Sequence, residues 1–167
     1  MWDKFIKKRR KSGIQSLVLI IGVLIGFMGI SSLSDVTVLQ TKFSVLSQQA
    51  GYVSRAVAKQ GGVRTSQIDN YHGRYITSQE LYTNVKRAMN NAGIADDEFR
   101  VVVGGHLLTP VTETPVYDYR ERIPVSITIE YNWEFLDNFL SSGKRTRKSQ
   151  TEVVSTHKIR GSGFKEN

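Results

Sequence analysis

Ile14 to Gln60 reads IQSLVLIIGVLIGFMGISSLSDVTVLQTKFSVLSQQAGYVSRAVAKQ, and its two halves follow different rules. From Ile14 to Ile30 the only polar side chains are Gln15 and Ser16, and no charge stands between Lys11 and Asp35. At the 1.5 Å rise of a helix, Ile14 to Leu33 spans roughly 30 Å, the thickness of a bilayer's hydrocarbon core. Beyond it, Val36, Leu39, Phe43, Leu46, Ala50, Val53 and Val57 recur at alternating steps of three and four, which draws one apolar stripe along a helix. Thr37, Gln40, Lys42, Ser47, Gln48, Arg55 and Lys59 fill the wet side. Neither proline nor a glycine pair interrupts the run before Gly61-Gly62, so both halves read as one continuous helix on the order of 70 Å long. The stripe has two candidate partners: the chain's own downstream sheet, or the same helix of other copies.

Outward from this helix, Lys4, Lys7, Lys8, Arg9, Arg10 and Lys11 crowd its N-terminal flank, offset only by Asp3. They account for most of the formal charge of +8 over 167 residues, which leaves the rest of the chain only mildly basic and argues against nucleic acid as a partner. Positive charge on one flank places that flank in the cytoplasm, with Trp2 and Phe5 at the inner interface. The expectation is a single-pass cell-membrane protein: 1–13 basic and cytoplasmic, 14–33 transmembrane, 34–160 an extracytoplasmic domain. A cleaved secretory signal ending near Gly29-Ile30-Ser31 is the competing reading, but the apolar run is longer than such signals and continues without a turn. Gly22 and Gly26 form a small-xxx-small pair that admits close approach of another helix.

Downstream, 63–76 shows no sustained period and reads as a connecting loop. Thr77 and Glu80 make a capping-box pair ahead of Leu81, Val85 and Met89, with Gly93 as the stop, which predicts a second helix over 78–91. Phe99 to Val103 is a short strand ending at Gly104-Gly105. Val125, Ile127, Ile129, Tyr131 and Trp133 alternate with polar residues, the pattern of an antiparallel strand over 123–134 with one face on a core. A third strand is expected over 150–160, after a positively charged loop containing Ser141 to Arg147 that reads as a solvated hairpin connection, with an acidic-lipid or partner contact as the second choice; 161–167 reads as a disordered tail. The fold class is α+β: a long N-terminal helix and a shorter one packed on one face of a small, roughly three-stranded antiparallel sheet.

No catalytic, cofactor or metal site is legible. Cysteine is absent, which excludes disulfides and thiolate chemistry. His72, His106 and His157 stand far apart, each without a second ligand at helical or strand spacing. Asp96, Asp97 and Glu98 lack the spacing of a calcium loop, and Gly61, Gly62, Gly104 and Gly105 read as turns rather than phosphate cradles.

With these residues in hand, the chain resembles the pilin-like proteins of the TadE type, the minor pseudopilins of tight-adherence pilus systems and their relatives in Gram-positive conjugative elements. The likeness consists of the basic run Lys7 to Lys11, Ser12-Gly13, the hydrophobic helix, the amphipathic extension with Ala50, Arg55, Ala58 and Gly61-Gly62, and the alternating strand Val125 to Trp133. The resemblance implies a pilin-like fold and a non-enzymatic component of a surface pilus, conjugation or secretion apparatus, assembling with other subunits through Gly22, Gly26, Val36, Leu39, Phe43 and Leu46. It also implies cleavage by a prepilin peptidase between Gly13 and Ile14. The departure is Val18, at the fifth position after that bond, where many pilins carry glutamate; the chain either assembles without that residue's pairing or remains an uncut membrane component. A signal-anchored extracellular sensor or ligand-binding module is the alternative, and a tethered enzyme a third.

Overall fold

In the computed structural model, described for residues 2–66, 75–134, 137 and 143–157 and for backbone alone before Ile14, α1 runs unbroken over Trp2–Gln60 and α2 over Ser78–Asn91. Four strands follow: β1 (Phe99–Val103), β2 (His106–Leu107), β3 (Arg122–Tyr131) and β4 (Arg145–Val154). All pair antiparallel in the order β2-β1-β3-β4. The α+β class read from the sequence is the one observed. The chain divides into two compact units, Met1–Leu39 with Asn132–Gly143, and Gln40–Tyr131 with Lys144–Asn167.

The second unit holds the hydrophobic core. Register explains it: Phe99, Val101 and Val103 stand opposite Ile129, Ile127 and Val125, so one face of the sheet is continuously apolar. Against that face lie Leu46, Ala50, Val53 and Val57 of α1 and Leu81, Val85 and Met89 of α2. Tyr82 of α2 meets Phe99 of β1 at 6.5 Å between ring centroids, and Phe43 of α1 meets the edge of Tyr131 of β3 at 5.2 Å.

The caps follow the sequence. Thr77 Oγ1 accepts from the Glu80 amide at 3.2 Å, and α2 closes through Gly93 at φ 72°, with Ile94 N donating to Met89 O and Gly93 N to Asn90 O. Gly61 ends α1 at φ 66°, where the Gly62 amide reaches back to Val57 O at 3.1 Å.

Three boundaries differ from the sequence expectation. The sheet has a fourth strand, β2, because Gly104 and Gly105 both take positive φ and turn the chain through a two-residue hairpin; two residues are too short a strand to show alternation. β3 stops at Tyr131, the last residue with a cross-strand partner, although the alternation runs on to Trp133. β4 begins at Arg145, so Arg145 to Arg147 are strand rather than loop. An edge strand has one neighbour, most of its side chains face water, and charge there is tolerated and discourages further pairing. The expected residues 158–160 and the tail 161–167 lie outside the described residues, as does most of the 63–76 connection.

Candidate functional site

The feature that no packing inside the chain accounts for is the first half of α1. Ile14 is 64% exposed, Leu19 67%, Phe27 62% and Leu33 71%, and every other large apolar side chain between them is exposed except Met28, which is half-buried. By length and composition this is a helix able to cross a membrane, and none of its apolar window is buried within the chain. Its hydroxyls fold back on the helix: Ser32 Oγ donates to Met28 O at 2.7 Å and Thr37 Oγ1 to Leu33 O at 3.0 Å. Such i−4 bonds satisfy hydroxyls that lipid cannot. A Cβ built at Gly22, Gly26 or Gly29 would meet nothing within 4 Å, so the small-residue face is open.

The sequence-derived assembly surface divides when placed on this helix. Val36 is exposed, as are the flanks of Gly22 and Gly26. Leu39 is buried, Leu46 belongs to the hydrophobic core, and Phe43 is half-buried between Tyr131 and the Arg147 guanidinium, whose Cζ stands 5.2 Å from the ring centroid. Leu46 and Phe43 are therefore committed to the chain's own sheet, and Leu39 offers almost no surface. The apolar stripe chose its intramolecular partner. Gly13 and Ile14 lie in helical backbone. Lys42, expected on the wet side, is 4% exposed; its stem lies against the Gly93 turn, where the carbonyl end of α2 favours a cation.

The opposite end of α1 is knitted by polar groups. Gln60 Nε2 donates to Gly62 O at 2.8 Å and Ile76 O at 3.1 Å, Tyr117 N donates to Gly61 O at 2.8 Å, and Thr156 N to Ala58 O at 2.9 Å. Ser155 Oγ donates to Tyr117 O at 3.0 Å, and His157 Nδ1 lies 3.1 Å from the Tyr75 hydroxyl. These partners are mainly backbone, so the cluster fastens the segments around Thr114 to Tyr117 and Ser155 to His157 onto the helix end. Of the other histidines, His106 is exposed on β2 and His72 lies outside the described residues. Among the described residues no three His, Asp or Glu side chains gather to hold a metal. An open groove along α2 is lined by Ile76, Thr77, Gln79, Glu80, Thr83, Asn84 and Arg87.

The hydrogen bond from Lys86 holds the Asp96 carboxyl below its usual range, and the same bond raises the Lys86 ammonium. Glu113 is lowered by the Thr65 hydroxyl. Sequence reading missed the Arg147–Phe43 stacking and the Tyr75–His157 contact, both between residues too remote in sequence to announce each other. No family model, no curated protein and no solved structure matches the chain, and the case for its role rests on its own geometry.

Proposed function

We propose that the chain is a non-enzymatic, single-pass membrane subunit, pilin-like in role, that takes part in a surface pilus, conjugation or secretion apparatus. The observation that carries this reading is the exposed apolar surface from Ile14 to Leu33, broken only at Met28 among its large apolar side chains, on a helix whose later turns are core. Burying a large aliphatic side chain is worth about 1.5–3 kcal/mol, so leaving this whole run in water would cost more than a domain's usual net stability of about 5–15 kcal/mol. Lipid is the cover that its length fits. In this reading the basic residues 1–13 stay in the cytoplasm and the α+β domain lies outside.

A subunit of this kind waits in the bilayer and is withdrawn by exchanging lipid contacts for contacts with other helices. The surface left for that exchange is Gly22, Gly26 and Val36 with the apolar residues around them, now that Leu39, Phe43 and Leu46 are taken. A prepilin peptidase acting at Gly13–Ile14 would free the helix from its basic segment.

Because the native chain has no cysteine, one introduced cysteine is its only thiol. Gln150→Cys is expected to react with a membrane-impermeant maleimide on intact cells and Ser12→Cys only after lysis; the reverse pattern overturns the orientation. Val36→Cys is expected to crosslink to neighbouring subunits in the native membrane, and exclusively monomeric Val36→Cys removes the assembly role. Mass spectrometry of the mature N-terminus distinguishes a chain beginning at Ile14 from one retaining Met1.

A further inference from the structure

β4 closes one side of the sheet and leaves a long edge open. It pairs with β3 in unbroken register from Arg145 to Val154, with no proline or glycine in the strand. The backbone groups that line the edge follow from the bonds its neighbours make. Ser155 N donates to Glu121 O at 2.8 Å, and on the other side of β3 Glu130 N donates to Glu98 O at 2.6 Å and Gly104 N to Pro124 O at 2.8 Å. Even-numbered residues of β3 therefore turn their backbone toward β1 and odd-numbered ones toward β4, and in register the odd-numbered residues of β4 turn toward β3. The N–H and C=O groups of Thr146, Lys148, Gln150, Glu152 and Val154 point away from the sheet, where among the described residues no backbone group pairs with them. All five residues are exposed.

Such a row is a template for another strand, and the first half of β4 sets the terms for that strand. Arg145 and Arg147 stand opposite Tyr131 and Ile129, on the face that carries the helices, and Lys148 stands opposite Thr128, on the other face. Each face is thus basic where it meets the edge. Among the described residues no carboxylate pairs with any of the three cations, and Glu152, farther along the strand, pairs with Arg122. The carboxylate nearest in register is Glu130, opposite Thr146. A strand added at the edge sends successive side chains to alternate faces, each beside the β4 side chain on its own face. Two consecutive positions on it would therefore meet Arg147 on one face and Lys148 on the other.

We infer that the open edge of β4 receives an extended segment of a partner protein that carries Glu or Asp at consecutive positions where it passes 145–148. Backbone hydrogen bonds hold the segment, and the carboxylates select it. Charge of one sign guards the edge against indiscriminate pairing and admits the opposite sign. The inference stands on the sheet alone and does not use the membrane-anchored reading.

The probe is a synthetic peptide of the length of β4, alternating valine and threonine and ending in three glutamates, which lie beside 145–148 when it runs antiparallel to the strand. It is added to the full chain in detergent, and amide hydrogen exchange is followed residue by residue. Exchange is expected to slow severalfold at Thr146, Lys148, Gln150 and Glu152 and to stay unchanged at Arg147, Ser149 and Thr151, whose amides β3 already holds. N-methylation of the peptide amides that face β4 is expected to abolish the protection, and N-methylation of the alternate set to spare it. A peptide ending in three lysines is expected to protect the variant R145E/K148E and not the native chain. No protection by the glutamate peptide, equal protection of the native chain by the lysine peptide, or protection indifferent to N-methylation of the facing amides overturns the inference. Protection of the same amides by raising the concentration of the chain alone assigns the edge to a second copy and overturns it as well. Should R145E/K148E not fold, the two peptides compared on the native chain still decide.

Discussion

At the scale of single residues, two glycines with the same sign of φ make unequal demands. Gly61 sits at φ 66° with the Tyr117 carbonyl oxygen 2.6 Å and His157 Cβ 2.9 Å from where a Cβ would stand, whereas Gly105 at φ 85° has nothing within 4 Å. Gly105→Ala is therefore expected to lose only the left-handed backbone penalty, about 1–2 kcal/mol. Gly61→Ala adds a backbone clash and should lose about 3 kcal/mol or more, read from denaturant midpoints of the detergent-solubilised chain. Ser54 presents the opposite case: it is 4% exposed in α1 and its hydroxyl has no hydrogen-bond partner. Ser54→Ala removes an unsatisfied buried group and improves helix propensity, so a gain of about 1 kcal/mol is expected in the same measurement. Neither the glycine contrast nor the stranded hydroxyl is visible in sequence, because both depend on what the fold brings alongside.

At the scale of elements, periodicity located the amphipathic half of α1, α2 and β3 because each buries one face, and a buried face leaves a period; β1 is read from its short run ahead of Gly104-Gly105 and the first half of α1 from its unbroken apolar stretch. β4 buries little, its core-side positions being Arg145, Arg147, Ser149, Thr151 and Val153, so its pattern carried no period and its charges resembled a loop. What holds α2 at its far end is partly electrostatic, the Lys86–Asp96 pair joining the helix to the segment before β1. Asp96 is lowered in the folded chain, so its contribution is present above the ordinary aspartate range and disappears as pH falls through the lowered value. Lys86 is raised, so its share persists below the ordinary lysine value and is lost as pH rises through the raised one. Asp96→Asn is expected to melt slightly below the native chain at neutral pH; the difference should vanish in acid and shrink in high salt, since the pair is solvent-exposed.

For the whole molecule, every residue of the hydrophobic core cluster lies between Leu46 and Ile129, and none precedes α1's amphipathic half. A chain beginning at Ser34 is thus expected to unfold cooperatively at the temperature of the full chain's domain and to stay in solution without detergent; loss of cooperative melting would mean that the first half of α1 contributes to the core. The sequence by itself determined the apolar run, its length and flanking charge, the continuous helix, the second helix with its caps, and the α+β class. These follow from local spacing and from which side chains tolerate water. Only the tertiary structure decided that Phe43 and Leu46 belong to the sheet rather than to a neighbouring helix, that Lys42 is buried, and that a charged stretch becomes the edge strand β4. An amphipathic stripe states that it must be covered but not by what, and an edge strand takes its conformation from hydrogen bonds to β3 rather than from any preference of its own residues.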